Sequence, residues 1–346
     1  MTDQSGMLTG LPDKSPRGGG TTAALLRGLG AAGRQRETTI AVVTVALLLY
    51  FGLTNPTTFV SSSNAVNLFS ETAAPIAIIA VGEVFLLICG EIDLSVGFIF
   101  TFAPFIMFFA HAYWGMPVLV AFITALVFGL ICGLINGFLT VTLGLPSFIT
   151  TLGTGFILAG MALYFSHAEP KIMPLDMRGT GNWIGASPWS QFIWAVALVA
   201  IFHVVLTRTR WGLHTISTGG NQLGAREAGI NVARIKYGNF MITGVLGALV
   251  GVQTAFYLTS IDPLAGGYQP MFYSVTAAVI GGTAMLGGSG TILGAFLGAI
   301  ALSTLIDGFN IVGINANTVQ IVFGGAILIS MIANVQIARL RERGSA

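Results

Sequence analysis

Long apolar runs separated by short polar stretches make up most of this chain, and the runs have about the length of membrane-spanning helices. A helix that crosses a bilayer needs roughly 20 mainly apolar residues. The runs at 97–113 and 273–286 are short for a full crossing, whereas 116–143 is long enough to be tilted or kinked. Short spans interrupted by glycine are typical of broken helices in transporters. The ten predicted spans cover residues 39–54, 72–90, 97–113, 116–143, 148–165, 189–207, 237–258, 273–286, 291–313 and 317–334.

The amino-acid composition indicates that these helices lie in lipid. Apolar residues form 54% of the 346 and charged residues only 8%, whereas a soluble domain carries about a quarter charged residues. The chain is therefore predicted to be an all-α integral membrane protein. Its fold is expected to be a bundle of about ten transmembrane helices, some of them short or broken.

Positive charges cluster in three segments that a ten-span topology brings to one face of the membrane. Thirteen of the 15 basic residues lie before the first span, between the sixth and seventh spans, or after the tenth. The positive-inside rule makes this face cytoplasmic and predicts that both termini are cytoplasmic. An odd number of spans would divide the two terminal clusters between opposite faces. The clustered residues are Lys14, Arg17, Arg27, Arg34, Arg36, Arg208, Arg210, Arg226, Arg234, Lys236, Arg339, Arg341 and Arg343.

The chain is divided by composition into two tails and one membrane domain. Residues 1–37 are polar and basic toward their end, which predicts a disordered cytoplasmic tail and not a signal peptide, because no long apolar segment begins within them. A transmembrane domain follows at 38–336, with a cytoplasmic loop at 208–236, and a cytoplasmic C-terminal tail at 337–346. The loop at 166–188 is predicted to be external. No extramembrane part is long enough for a folded catalytic domain.

The sequence carries no motif for catalysis or cofactor binding. It lacks the G-x-x-x-x-G-K-[ST] phosphate-binding motif, and the stretch GGSGTILG at 287–294 is interpreted as a tight turn between two spans. The four histidines lack the spacing of metal ligands. Cys89 and Cys132 lie in apolar runs and are interpreted as buried, inert thiols. We therefore expect no cofactor, no metal, no nucleic-acid partner and no enzymatic activity in the chain itself.

Glycines recur at every fourth position on three of the predicted spans. This spacing places them on one helix face, where the missing side chains let two backbones approach closely. We interpret the pattern as a packing surface in a compact bundle and not as a code for solute recognition. The residues are Gly129, Gly133 and Gly137, then Gly247 and Gly251, then Gly294 and Gly298.

Four carboxylates lie within or beside the apolar runs. A charge in hydrocarbon costs roughly 3 kcal/mol on insertion scales, so such groups usually face a water-filled path or a partner. In GEIDLSVG, residues 90–97, Asp93 is expected to cap a helix that starts near Leu94, and a break at this place can also act as a hinge. A proton relay is less favoured, because the spans contain no lysine or arginine. The four carboxylates are Glu83, Glu91, Asp93 and Asp307.

The cytoplasmic loop contains the other candidate functional segment. Within NQLGAREAGINVARIK, residues 221–236, the stretch from Gln222 to Ala228 can form one or two helical turns, which Gly229 would stop. One interpretation is a solvated connector. The other is a short helix parallel to the membrane that docks on a cytoplasmic protein. The spacing of the residues leaves both open.

Three stretches together resemble the permeases of ribose-type sugar ABC transporters. GEIDLSVG (90–97) resembles their G-G-I-D-L-S-V-G signature, and GGNQLGAREAGINVARIK (219–236) resembles their G-G-N-x-x-A-A-x-x-S-G-I-N-V loop. AAVIGGTAMLGGSGTILGAFLGA (277–299) resembles their A-V-x-L-G-G-T-S-L-x-G-G-x-G-x-x-x-G-x-x-x-G-A stretch. The resemblance is collinear and extends from about residue 65 to 334. The chain departs from the pattern at Glu91, where glycine is usual, and at Ala228 and Ala284, where serine is.

The resemblance implies an ATP-driven importer for a monosaccharide or sugar alcohol in a bacterial inner or plasma membrane. Two cytoplasmic ATP-binding subunits would dock on the loop, an external solute-binding protein would deliver the solute, and a second permease copy or related chain would complete the pore. The residues implied to contact the ATPase are Arg226, Glu227, Gly229, Ile230 and Asn231. Those implied to form the break in the path are Gly90, Glu91, Asp93, Ser95 and Gly97.

Two other functions remain open from the residues alone. An ion- or proton-coupled secondary carrier would use Glu83, Glu91 or Asp307 and would need no partner ATPase. A membrane scaffold that moves no solute would use the loop only to bind a partner. Nothing in the sequence distinguishes a pentose from a hexose, or a pore of two identical chains from a pore of two related ones.

Overall fold

The computed structural model describes residues 36–315 together with residues 318, 320, 321, 324, 325 and 328. These residues form an almost entirely helical bundle, which confirms the predicted fold class. The longer α-helices are α1 (Arg36–Thr54), α4 (Ala74–Ile88), α5 (Val96–Ala112), α6 (Val118–Gly137), α7 (Ser147–Ser166), α9 (Ser190–Arg208), α10 (Arg210–Gly220), α12 (Val232–Leu258), α13 (Tyr268–Ile280) and α14 (Ile292–Val312).

Short elements join these helices. Wider π-helical turns continue α6 at Phe138–Thr142 and lead into α4 at Asn67–Ala73. A two-residue strand from the 166–188 segment pairs antiparallel with a strand that follows α12. The remaining short elements are α2 (Pro56–Phe59), α3 (Ser62–Val66), β1 (Lys171–Ile172), a 3-10 turn (Leu175–Met177), α8 (Arg178–Gly181), a π-helical turn (Asn182–Ala186), α11 (Gln222–Glu227) and β2 (Ser260–Ile261).

Burial separates the helices into a central and a peripheral set. Within the described residues, seven helical segments are long and apolar enough to cross a membrane. The segments that contain α4, α12 and α14 are mostly buried, whereas α1, α6, α7 and α9 bury less than a third of their residues. An apolar surface of this size requires an apolar solvent, because monomeric soluble proteins rarely expose large apolar patches. The bundle therefore has a protein-facing centre and an apolar rim.

Nine of the ten predicted spans coincide with helices in the described part of the chain. The prediction was least accurate for the second span, which continues a helical run that begins at Ser62, and for the eighth, which begins at Tyr268 and ends at Ile280. Residues 1–35 and the C-terminal tail at 337–346 lie outside the described residues, and of the tenth span only residues 318, 320, 321, 324, 325 and 328 are described. Arg36 and Glu37, assigned to the tail, are the first residues of α1.

The glycine ladders are packing surfaces, as the spacing predicted. A Cβ atom added at Gly133 on α6 would lie 2.3 Å from the carbonyl oxygen of Phe240 on α12, and one added at Gly129 would lie 2.3 Å from that of Gly244. On α12, Gly251 meets the carbonyl oxygen of Phe100 in the same way. Helices α5, α6 and α12 therefore approach one another with backbone against backbone, which fixes their relative heights.

Replacing Gly133 with alanine is expected to destabilise the bundle, because the added carbon would overlap the Phe240 carbonyl. Overpacking of this kind typically costs about 1–3 kcal/mol. The matched control is Gly153→Ala on α7, where an added Cβ meets no atom within 4 Å. Thermal unfolding of the detergent-solubilised protein should show a lower midpoint for Gly133→Ala alone. Equal midpoints for the two variants would contradict the close packing of α6 on α12.

Candidate functional site

The segment between α4 and α5 is an interruption that rises into the interior of the bundle. Glu91 lies beside Lys236, near the start of α12. Val96, where α5 begins, packs against Gly247 of α12. Gly247 lies eleven residues beyond Lys236, a rise of about 16 Å at 1.5 Å per residue. Residues 91–96 therefore rise along α12, with a turn at Leu94 and Ser95, and α5 starts close to the middle of that helix.

A second interruption reaches the same point from the opposite end of the bundle. After β2 the chain turns inward, and the Gly267 amide donates a hydrogen bond of 2.9 Å to the Gly97 carbonyl. Thr101 Oγ1 donates to the Ala265 carbonyl at 2.5 Å. Helix α13 thus also starts deep in the bundle, beside the start of α5. Helices α5 and α13 have 17 and 13 residues, and both begin next to an interruption. Interrupted helices that begin near mid-membrane are a recurrent construction for solute sites in transporters.

Gly97 lies at the contact between the two interruptions. A Cβ atom at this position would lie 1.9 Å from the Gly267 carbonyl oxygen. Glycine is therefore needed for the contact between the two interruptions and not for backbone freedom. Gly90 does use the conformational freedom of glycine, because its φ of 74° lies in the left-handed region that glycine adopts readily.

Asp93 does not cap the helix in the predicted way. The helix begins at Val96 and its N-cap position is Ser95, two residues later than expected. The Asp93 carboxylate instead accepts hydrogen bonds from the Ser95 amide at 2.8 Å and from Ser95 Oγ at 2.6 Å. The carboxylate folds the chain into a turn just before the helix. The cap prediction failed because a turn at Leu94 and Ser95 precedes the first helical residue.

A buried polar cluster surrounds this turn. Asn136 Nδ2 on α6 donates to Ser95 Oγ at 2.8 Å and to Asp93 Oδ2 at 3.2 Å. The Asp93 amide donates to Glu83 Oε2 at 3.4 Å, and the Leu94 amide donates to Thr151 Oγ1 at 3.0 Å. Asp93 and Ser95 have no exposed surface. In this conformation they stabilise the interruption and do not line an open path.

Asn136 was missed by sequence reasoning, although a signal was present. It is a lone amide in the apolar run of α6 and lies three residues after Gly133, on the face that packs into the bundle. A polar residue on a packed face needs a hydrogen-bond partner, and that requirement could have connected it to the interruption.

Glu91, the departure from the family pattern, forms an ion pair with Lys236. Its Oε1 atom lies 2.5 Å from the lysine Nζ atom, and each side chain is 12% exposed. Sequence reasoning placed Lys236 in the loop, whereas it lies on the second turn of α12. The pair joins the start of the interruption to the helix that follows the loop.

A cavity of about 350 Å³ adjoins the interruption. Gly90, Glu91 and Ile92 form one side, α13 forms the other, and Phe148 of α7 contributes an aromatic ring. Of the five residues predicted for the path, Gly90 and Glu91 line this cavity, and the other three do not. Asp307, the remaining intramembrane carboxylate, lies away from it and accepts hydrogen bonds from the Asn64 and Asn67 side chains.

The predicted turns in the loop are present as the six-residue helix α11. The Asn221 side chain caps it by accepting a hydrogen bond of 2.9 Å from the Gly224 amide. Gly229 ends it with a φ of 83°, and the Ile230 amide returns to the Ala225 carbonyl at 2.9 Å. The Asn231 side chain then caps α12. Gly229 and Asn231 therefore shape the segment.

Side chains of α11 are exposed on its outer surface. Leu223 is 68% exposed, and Arg226 and Glu227 are exposed beside it. An exposed leucine between charged groups, on a short helix held by caps at both ends, is suited to contact another protein. Ile230, also predicted to contact a partner, is partly buried.

Helix α10 was not predicted, and it connects the loop to the interruption. A Cβ atom at Gly219 would lie 1.5 Å from the Ile88 carbonyl oxygen at the end of α4. The same carbonyl accepts a hydrogen bond of 2.8 Å from the Gly288 amide in the turn before α14. Trp211 Nε1 donates to Asn239 Oδ1 on α12, and Asn239 Nδ2 donates to the Phe85 carbonyl. Movement of α10 would therefore act directly on the end of α4.

Comparison with known proteins identifies the class of this bundle. Residues 64–331 match a family model described as the permease component of the branched-chain amino acid transport system. The chain belongs to this permease family. It is a transport subunit of an ABC importer and not itself an enzyme, and such permeases work with ATP-binding and solute-binding partner proteins.

Several relatives of the permease are named as sugar importers. The xylose/arabinose import permease of Sulfolobus acidocaldarius is 35% identical over 312 residues, which cover 88% of this chain and 86% of the relative. The D-allose transport system permease of Escherichia coli is 32% identical, with coverage of 82% and 86%. The ribose import permease of the same species is 29% identical, with coverage of 84% and 92%.

Replacing Gly219 with alanine is expected to separate α10 from the end of α4, because the new carbon would overlap a backbone oxygen that has no freedom to rotate away. Solute-stimulated ATP hydrolysis by the assembled transporter should fall to near its unstimulated rate. The control is Gly220→Ala, one residue along, where an added Cβ meets no atom within 4 Å. Equal stimulation in both variants would show that this contact does not transmit movement.

The Glu91–Lys236 pair is expected to show energetic coupling in a double-mutant cycle. Glu91→Gln or Lys236→Met leaves a largely buried charge without its partner, which is strongly destabilising, whereas the double variant leaves none. Unfolding midpoints of the four proteins give the coupling energy, expected to exceed about 0.5 kcal/mol. Strictly additive effects would mean that the two side chains do not stabilise each other.

Proposed function

We propose that the permease imports a monosaccharide or sugar alcohol across the inner or plasma membrane of a bacterial cell. The observation that carries the proposal is the set of named relatives: sugar import permeases aligned over more than four fifths of this chain. An external solute-binding protein delivers the solute, and ATP is hydrolysed on two cytoplasmic subunits. A second copy of the permease, or a related chain, completes the pore.

The segment at 208–236 is the proposed docking surface for the ATP-binding subunits. The positive-inside rule places this basic end of the bundle in the cytoplasm. The exposed Leu223, Arg226 and Glu227 of α11 supply an apolar contact flanked by charges of both signs. Gly229, Ile230 and Asn231 complete the proposed surface by setting the shape of the turn that follows.

Movement of this surface reaches the path through two short contacts. α11 continues from α10, whose Gly219 lies against the end of α4. The Lys236–Glu91 ion pair connects the start of α12 to the interruption. Nucleotide binding that draws the two docking surfaces together would then tilt α10 and pull on residues 89–91. The cavity beside Gly90 and Glu91 would change shape while the Asp93–Ser95–Asn136 cluster holds the rest of the interruption.

This mechanism assigns weak solute contact to the permease. Selection occurs on the binding protein, and tight binding in the path would slow release. The cavity fits this role, because its described lining is mainly apolar, with Glu91 and Thr276 as its polar side chains. Asp93 and Ser95, which are buried and do not line the cavity, are proposed to stabilise the interruption beside it.

Purification of the tagged permease from its native membrane in mild detergent tests the proposal. Recovery of an ATP-binding subunit that crosslinks to a photoreactive residue at position 227, followed by sugar binding to an associated solute-binding protein, is the expected result. Failure of any ATP-binding subunit to crosslink or co-purify would overturn the proposed assembly.

Glu227→Arg is expected to abolish solute-stimulated ATPase activity while the protein still inserts, because it reverses one of the charges that flank the proposed apolar contact. Glu169→Arg is the matched control, since Glu169 is also an exposed glutamate but lies on the 166–188 segment at the opposite end. ATP hydrolysis is measured in reconstituted vesicles with solute-loaded binding protein. Full stimulation in Glu227→Arg would remove this residue from the docking surface.

A further inference from the structure

Exposed polar side chains lie at the middle of the membrane domain, at the start of α13. Gln269 is exposed and Tyr268 is 41% exposed. Their depth follows from two contacts. The neighbouring Gly267 donates a hydrogen bond to Gly97 on α5, and Val96, the residue before Gly97, packs against Gly247 on α12. Gly247 lies eleven residues from Lys236 and eleven from Leu258, at the centre of that stretch of α12. The two side chains therefore lie near mid-membrane.

An exposed amide at this depth is incompatible with a lipid-facing surface. Burying an amide in hydrocarbon without full hydrogen bonding is costly, and polar residues within membrane segments usually face a protein interior or a water-filled cavity. Gln269 Nε2 donates one hydrogen bond of 2.9 Å to the Tyr273 hydroxyl. An amide has further donor and acceptor capacity, and the exposed side chain points that capacity away from the chain.

Aromatic rings of α13 and α7 contact one another next to Gln269. The rings of Tyr268 and Phe272 are stacked with 6.3 Å between centroids, and Phe156 of α7 packs edge-on against Tyr268 at the same distance. Phe156 and Phe272 are 60% and 50% exposed. A monosaccharide has apolar C–H faces that pack on aromatic rings and hydroxyl groups that bond to amides. The patch offers both kinds of surface together.

The patch is continuous with the cavity beside the interruption. Phe272 lies three residues after Gln269 and Thr276 four residues after Phe272, so all three share one face of α13. Phe272 and Thr276 line the cavity, whose other side includes Gly90 and Glu91. This face therefore extends from mid-membrane to the basic end, the direction in which an importer must release its solute.

We propose that the Gln269–Phe272–Thr276 face of α13 is the wall of the translocation path that touches the sugar. The identity of the solute rests on the proposed import function, whereas the geometry of the wall is independent of that function. Gln269 donates to or accepts from sugar hydroxyls at mid-membrane, and the rings of Phe272 and Tyr268 pack on the sugar's apolar face. Glu91 lies at the end of the face, next to the docking loop.

Cysteine accessibility in the assembled transporter tests this wall directly. Gln269→Cys and Phe272→Cys are made in the otherwise native chain, whose Cys89 and Cys132 are both buried. The control is Ile201→Cys on the apolar rim of α9, where the isoleucine is 55% exposed, much like Phe272. Each variant in native membranes is treated with a charged, water-soluble thiol reagent, with and without ATP.

The thiols at 269 and 272 are expected to react at least tenfold faster than the thiol at 201, because a charged reagent needs water and thiols react as thiolates. Rates at 269 and 272 that match the control, with and without ATP, would overturn the proposal.

Sugar uptake separates failure of the wall from failure of the proposed function. Gln269→Leu is expected to lower uptake by about tenfold, the size that one lost hydrogen bond can produce, while Gln269→Glu and Gln269→Asn retain more. Normal uptake in Gln269→Leu together with slow thiol reaction would refute the wall and leave the sugar importer intact. Fast thiol reaction without uptake of any monosaccharide or sugar alcohol would refute the proposed solute and leave the wall intact.

Discussion

Backbone groups inside a bilayer must find their hydrogen-bond partners within the protein, and this requirement organises the bundle. Two segments leave helical geometry at membrane depth, and irregular backbone is tolerated there only where protein or a cavity surrounds it. Thr151 accepts from the Leu94 amide, Asp93 from the Ser95 amide, and Gly97 from the Gly267 amide. The glycine ladders bring α5, α6 and α12 close enough to enclose these bonds.

Sequence predicted the features that depend on local pattern. Apolar length located nine helices, four-residue glycine spacing located the backbone contacts, and the expected stop at Gly229 located the end of α11. The depth of the break was beyond this reasoning, because it is set by Val96 against Gly247 and Gly97 against Gly267. Lys236 and Asn136 were missed as partners for the same reason: they meet the interruption across 145 and about 40 residues of chain.

The departure at Glu91 gains a physical meaning in this arrangement. A carboxylate where the family usually has glycine would be unfavourable in an apolar surrounding, and Lys236 compensates it at 2.5 Å. The Glu91–Lys236 pair and the contact of Gly219 with the Ile88 carbonyl both join the start of the interruption to the 208–236 segment. The proposed docking surface and the proposed path are therefore adjacent, and coupling between them would require no long relay.

The central claim is that movement of the 208–236 segment by partner ATP-binding subunits drives solute through this bundle. The most direct test is uptake of labelled monosaccharide into vesicles that contain the permease, with or without those subunits and the solute-binding protein. The account predicts uptake only when all components and ATP on the docking-loop side are present. Uptake by the permease alone under an imposed proton gradient, unaffected by ATP, would contradict it.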